Sequence, residues 1–213
     1  MARRFYFGAR GISRPFLRLL WNPRVSGLEN VPREGGFVIA SNHLANIDSF
    51  VLPVVLPRQI RFVAKDTLWT HKGLRGWILR WFFNAVESVP VDREALSSGK
   101  GALQAGLTIL RDGDGFAIYP EGTRSKDGLL HPGKQGAAWL ALESGCPVVP
   151  VGLKGTQHMF SHLIPRRGTM TVRIGTPIAV EEIDPTASKG VRRRLLNERV
   201  MEEIQKLSGQ RRA

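Results

Sequence analysis

Ser41-Asn42-His43-Leu44-Ala45-Asn46-Ile47-Asp48 lies between two apolar runs, Phe37-Val38-Ile39-Ala40 before it and residues 50–56 after it. An apolar run opened by Gly35-Gly36 and closed by a polar cluster reads as a buried strand, so His43 falls at the strand's end and Asp48 at the entry to a helix. Sites in α/β sheets form at that edge. Five positions keep an imidazole and a carboxylate off a shared helix face, but a turn between them folds the carboxylate back onto the ring and makes an oriented general base. An Asp capping the helix beside an unrelated loop histidine would have the same spacing.

Working outward, Ile60-Arg61-Phe62-Val63-Ala64, residues 86–91, Phe116-Ala117-Ile118-Tyr119, residues 147–153 and residues 170–174 read as strands. Residues 97–111, 136–144 and 191–207 read as helices, from apolar residues at helical spacing and from Gly and Ser at their ends. Strands alternating with helices argue for one α/β layered domain over residues 25–213, and 213 residues suffice for a sizeable core. Residues 1–24 stand apart: six Arg, no acid, and Phe5, Tyr6, Phe7, Phe16, Leu17, Leu19, Leu20 and Trp21 between them. Gly8, Gly11 and Pro15 speak against a long autonomous helix, so the segment is expected to be an amphipathic basic arm in the headgroup plane of a bilayer. A core-capping helix with a solvated basic face is the alternative. Residues 77–83, with Trp77, Trp81, Phe82 and Phe83 near Arg75 and Arg80, suit an interface or a core helix equally.

Lys and Arg number 31 against 18 Asp and Glu, a surplus of +13 that favours an anionic partner without choosing among bilayer, phosphorylated ligand and nucleic acid. No nucleic-acid recognition motif appears, and the aromatics lie in apolar clusters, so nucleic acid is not the expected partner. No stretch reaches the roughly 18 apolar residues of a spanning helix, and the N-terminus lacks the apolar core of a signal peptide. Cys146, the one cysteine, excludes an internal disulfide and reads as a small buried hydrophobe. His158 and His162 have a metal-compatible spacing but no third ligand, and no metal is expected.

A second constellation is Pro120-Glu121-Gly122-Thr123-Arg124 at a strand end: Gly122 frees the backbone to approach a ligand, and Arg124 offers a donor fork suited to phosphate. Arg93, after another strand, could converge on the same anion. A tight turn with a surface Arg is the plainer reading. The elbow Gly-x-Ser-x-Gly, a Walker loop and Gly-x-Gly-x-x-Gly are all absent, which leaves a base without a protein nucleophile, so a substrate group must attack.

Asn42-His43-Leu44-Ala45-Asn46-Ile47-Asp48 resembles the His-x4-Asp motif of the glycerolipid acyltransferases, the 1-acylglycerol-3-phosphate acyltransferase (PlsC-like) family. Tyr119-Pro120-Glu121-Gly122-Thr123-Arg124-Ser125 is similar to that family's Phe-Pro-Glu-Gly-Thr-Arg-Ser block. Val89-Pro90-Val91-Asp92-Arg93 and Val149-Pro150-Val151-Gly152 resemble two further blocks, all four in the family's order from about residue 25 to 177. Glu87 stands where the family usually has Gly, and Tyr119 where Phe is commoner.

The resemblance implies a mixed, largely parallel sheet flanked by helices. It implies transfer of a fatty acyl group from a thioester, on coenzyme A or acyl carrier protein, to a glycerol hydroxyl of a lysophospholipid, with no cofactor beyond that co-substrate. His43 would be the base, Asp48 its orienter, and Arg93, Glu121, Gly122, Thr123 and Arg124 the acceptor-phosphate positions. Another lysophospholipid, a glycolipid or an amino-acid lipid would be an acceptor consistent with the same motifs, and Glu87 keeps that choice open. The enzyme is expected on the cytoplasmic face of an anionic membrane, bound peripherally through residues 1–24.

Overall fold

In the computed structural model, which describes residues 2–65, 73, 76, 89–91, 100–159 and 167–213, the chain runs α1 (Ala2–Leu20), β1 (Arg24–Ser26), β2 (Phe37–Ser41), α2 (Asp48–Val55), β3 (Ile60–Arg61), β4 (Val63–Lys65), β5 (Val89–Val91), α3 (Lys100–Arg111), β6 (Gly115–Ile118), α4 (Gly136–Ser144), β7 (Val148–Lys154), β8 (Thr171–Ile174) and α5 (Lys189–Ser208). Six strands form one sheet in the order β1-β8-β7-β2-β6-β3, and β4 pairs with β5 in a second. Every pairing is parallel except β7 with β8. The expected mixed, mostly parallel sheet flanked by helices is therefore present.

β2 is buried along its whole length, because β6 and β7 cover its two edges and helices cover both its faces. Its side chains alternate between two cores, as the two-residue period of a strand requires. Phe37 and Ile39 join the cluster beneath α1 and α2, whereas Val38 and Ala40 join the cluster beneath α3, α4 and α5. Parallel pairing of β2, β6 and β7 brings their C-terminal ends to one edge of the sheet. On the far face α5 comes so close to β7 that a methyl added at Gly152 would lie 2.3 Å from the Leu207 carbonyl carbon.

Two expectations change. Ile60-Arg61-Phe62-Val63-Ala64 is not one strand, since the ladder breaks at Phe62, which turns its ring into the core. Residues 60–61 extend the main sheet, and residues 63–65 pair with β5. Residues 2–20 form a 19-residue helix despite Gly8, Gly11 and Pro15. Each interior Gly costs about 1 kcal/mol of helix propensity, and tertiary contacts outweigh that cost. The buried Tyr6 hydroxyl donates to the Pro53 carbonyl at 2.9 Å, and Arg10 donates to the carbonyls of Val54 and Pro57. Burial raises the Tyr6 pKa to about 12, so the phenol stays a donor throughout the physiological range.

Leu17 and Trp21 are core residues, the Trp21 indole donates to the Met159 carbonyl at 3.0 Å, and a boundary after residue 24 would fall inside β1. Tyr6, Leu17 and Trp21 thus tie α1 and the turn after it to the domain's core. Cys146 is partly buried and packs beside the α3–α4–α5 core. Residues 77–83, Glu87, Arg93 and His162 lie outside the described residues.

The Gly152 contact sets a stability test. Gly152→Ala should lower unfolding free energy by about 1–3 kcal/mol, the usual cost of overpacking, read as an earlier urea midpoint at unchanged slope.

Candidate active site

β2 delivers Ser41 and Asn42, both fully buried, to the sheet edge. The Asn42 amide takes the place of a backbone rung between β2 and β7: its Nδ2 donates to the Leu153 carbonyl at 2.9 Å, and its Oδ1 accepts from the Leu153 N–H at 2.7 Å. Nδ2 also donates to Gln210 Oε1 at 2.7 Å. The next residue, His43, therefore leaves the sheet in a fixed direction.

Residues 43–47 then turn back, so that Asp48, the first residue of α2, reaches His43. Asp48 Oδ2 lies 2.9 Å from His43 Nδ1 and accepts the backbone N–H groups of Leu44 at 2.7 Å and Ala45 at 2.8 Å. A carboxylate only accepts, so the proton sits on Nδ1 and Nε2 carries the lone pair. The Asp48 charge also lies at the positive end of α2.

Tyr119, just after β6, stacks on the His43 ring with centroids 3.9 Å apart and planes 8° apart. Phe62 backs it at 5.8 Å, and its hydroxyl meets Ser49 Oγ at 3.0 Å. Loss of water around the phenol, and next the Asp48 charge, raise the Tyr119 pKa well above the ordinary value, so the ring against the imidazole stays neutral. The base is thereby held in its plane by Tyr119 and about its axis by Asp48.

The Glu121 to Ser125 turn is laced to the same place. Glu121 Oε1 accepts the His43 N–H at 3.0 Å, Oε2 accepts the His131 N–H at 3.1 Å, and the Ser125 N–H donates to the His43 carbonyl at 2.8 Å. Glu121 is buried, and both its oxygens are taken by amides. Placed among the phosphate positions by the resemblance, it here braces the loop, as suits a carboxylate that would repel an anion. Gly122, with φ +72, Thr123 and Arg124 are exposed on the turn. His43, Asp48, Glu121, Gly122, Thr123 and Arg124 come together, with Arg93 beyond the described residues.

Sequence reading missed Asn42 and the Ser49–Tyr119 pair. The signal for the pair was Tyr in place of the commoner Phe, together with a Ser immediately after Asp48.

An acyltransferase family profile matches residues 22–154. A 1-acyl-sn-glycerol-3-phosphate acyltransferase of Bacillus subtilis is 31% identical over 198 residues, covering 90% of this chain and 92% of its own. A chloroplast enzyme of the same name from Brassica napus is 32% identical over 164 residues, 75% of this chain and 46% of its own. A human enzyme named as the alpha form is 27% identical over 76% of this chain and 56% of its own. The crystal structure of PlsC from Thermotoga maritima matches the fold with a TM-score of 0.68 at 24% identity, over 97% of this chain and 78% of that one.

The stacked ring yields a paired test. Tyr119→Phe keeps the stack and should stay within about threefold of wild-type turnover, whereas Tyr119→Leu frees the imidazole and should cost about a hundredfold in kcat, the scale of a misplaced catalytic group. Steady-state kinetics on both variants decide it.

Proposed function

The chain belongs to the acyltransferase family, and we propose that it moves a fatty acyl group from an acyl thioester to the free hydroxyl of 1-acylglycerol-3-phosphate, giving phosphatidic acid. The single observation that carries this reading is the 2.9 Å contact from His43 Nδ1 to Asp48 Oδ2, which leaves Nε2 to take a proton. Relatives named for that reaction support the choice of acceptor.

His43 Nε2 takes the proton as the acceptor oxygen bonds to the thioester carbonyl carbon, while Asp48 steadies the imidazolium. The tetrahedral adduct then collapses: the C–S bond breaks, and the leaving thiolate takes the proton back from His43. An ester and a free thiol result, with no acyl-enzyme and no redox change. Coenzyme A and acyl carrier protein present the same thioester and are both donors under this reading.

We further propose that the enzyme docks peripherally on the cytoplasmic leaflet through α1. Ile12, Phe16 and Leu19, spaced four and three apart on one face of the helix, are 71%, 58% and 66% exposed. Arg18, next to Leu19 in the helix, is exposed as well, each basic residue near an anionic surface being worth about 1 kcal/mol. No helix among the described residues is long and apolar enough to cross a membrane.

Two experiments test these proposals. His43→Ala should lower acyl transfer to 1-acylglycerol-3-phosphate at least about a hundredfold with the melting temperature unchanged; near wild-type activity would refute the base. An acceptor panel run with both thioester types belongs with it, and turnover of another lysolipid alone would reassign the acceptor. For docking, deletion of residues 1–24 would remove core residues, so the variant of choice is Ile12→Ser/Phe16→Ser/Leu19→Ser. It should bind anionic vesicles markedly less than wild type in a sedimentation assay, and retention equal to wild type would rule out this face of α1.

A further inference from the structure

Residues 209–213 belong to none of the motifs above and lie beyond the stretch that the family profile matches, yet they reach the sheet edge where His43 sits. α5 stops at Gly209, whose φ of +71 turns the chain back, and the Gly209 N–H closes the last helical turn on the Gln205 carbonyl at 2.8 Å. A residue with a side chain would be strained at that angle. From there the segment meets Leu130 in one parallel bridge: the Leu130 N–H donates to the Arg211 carbonyl at 2.8 Å, and the Ala213 N–H donates to the Leu130 carbonyl at 3.1 Å. Leu130 is itself buried in the α3–α4–α5 core.

Gln210 uses both ends of its side-chain amide here. Its Oε1 accepts from Asn42 Nδ2 at 2.7 Å, its Nε2 donates to the Gly128 carbonyl at 2.9 Å, and its backbone N–H donates to Ser208 Oγ at 3.2 Å. Asn42 is fully buried, and its Nδ2 has two hydrogens, one for the Leu153 carbonyl and one for Gln210. On the other side, Gly128 belongs to the loop that holds the His43 carbonyl through the Ser125 N–H. Asp127 makes that loop one body: its Oδ1 accepts from Ser125 Oγ at 3.1 Å and from the Leu129 N–H at 3.0 Å, and lies 3.0 Å from His131 Nε2. These bonds close a ring through Asn42, Gln210, Gly128, Ser125 and His43.

We infer that Gln210 is a positioning residue for His43: it fixes the buried amide from which the base leaves the sheet and ties that amide to the loop holding the base's carbonyl. It acts through Asn42 and Gly128 and takes no part in the proton transfer. The residue type follows from the two partners, since one needs an acceptor and the other a donor, and a carboxylate or an ammonium could meet only one of them. Without Gln210, one hydrogen of Asn42 Nδ2 is left in the core unpaired, which favours release of the Leu153 rung and a shift of the residue that follows. A base displaced by a fraction of an ångström loses rate and not affinity for the substrates. This assignment rests on the reading of His43 as the general base of acyl transfer.

The test compares wild type with Gln210→Met, Gln210→Glu and Ser188→Ala, all as full-length chains. Gln210→Met keeps the side chain's length and removes both hydrogen bonds; with 1-acylglycerol-3-phosphate and an acyl-coenzyme A it should lower kcat about tenfold at unchanged KM for either substrate. Gln210→Glu keeps the acceptor for Asn42 and should regain most of that loss. Ser188→Ala removes the N-cap at the far end of α5, so it should lower the urea midpoint and leave kcat as in wild type, which separates positioning from stability. Proton NMR reads the base without substrate: the His43 Nδ1–H signal, assigned by its loss in His43→Ala, should be sharp in wild type and Ser188→Ala and broadened by exchange with water in Gln210→Met. If wild type transfers no acyl group while that signal still broadens in Gln210→Met, the proposed reaction fails and the positioning role stands. Equal kcat in Gln210→Met and wild type, a sharp signal in Gln210→Met, a loss in Ser188→Ala as large as that in Gln210→Met, or a Gln210→Glu no better than Gln210→Met would each overturn the role.

Discussion

A carboxylate removed from water is tolerated only where donors converge on it, and Asp48 is fully buried. Three donors meet on its Oδ2: the imidazole Nδ1–H and the amides of Leu44 and Ala45. Satisfying that one oxygen forces the chain to turn directly after β2 and to begin α2 at Asp48. It also fixes which imidazole nitrogen bears the proton. Local backbone geometry and the protonation state of the base are therefore one problem with one solution.

The loop after β6 answers to the same place. Glu121 and Ser125 bind the two backbone groups of His43, its N–H and its carbonyl, so the residue is clamped through its main chain while Tyr119 clamps its ring. The turn's only carboxylate thereby faces inward, while Gly122, Thr123 and Arg124 stand exposed. Stability of the base and exposure of the Arg124 side chain thus follow from one arrangement of Glu121.

The strand before His43, the start of α2 and the four blocks in order were legible because each is local: periodicity, a polar cluster and turn residues lie within a few positions of one another. What escaped was non-local. Gly8, Gly11 and Pro15 argue against a helix, and contacts distant in sequence, the carbonyls of Pro53, Val54 and Pro57 and the core around Leu17, explain why α1 forms. The break at Phe62 is invisible in an apolar run, because it is the Tyr119 ring that gives Phe62 a reason to turn inward. Asn42 looked like part of a motif with no task of its own. Its task depends on Leu153, a strand away in space and 111 residues away in sequence. Glu121, read from the resemblance as a phosphate neighbour, shows its part only when the amides of His43 and His131 are in view.

The Glu121 clamp also bears on how the protein comes into being. It joins residues 78 apart in the chain, and the Asn42 bonds span still more. Such pairings pay their loop-closure entropy before they yield any contact energy, so they form slowly and late. As the chain leaves the ribosome, His43 and Asp48 emerge well before the strands that set them, and they cannot be a positioned base until β6 and β7 have docked on β2. A partly synthesised or partly folded chain thus carries the reactive residues without their geometry, and competence to react appears together with the finished sheet.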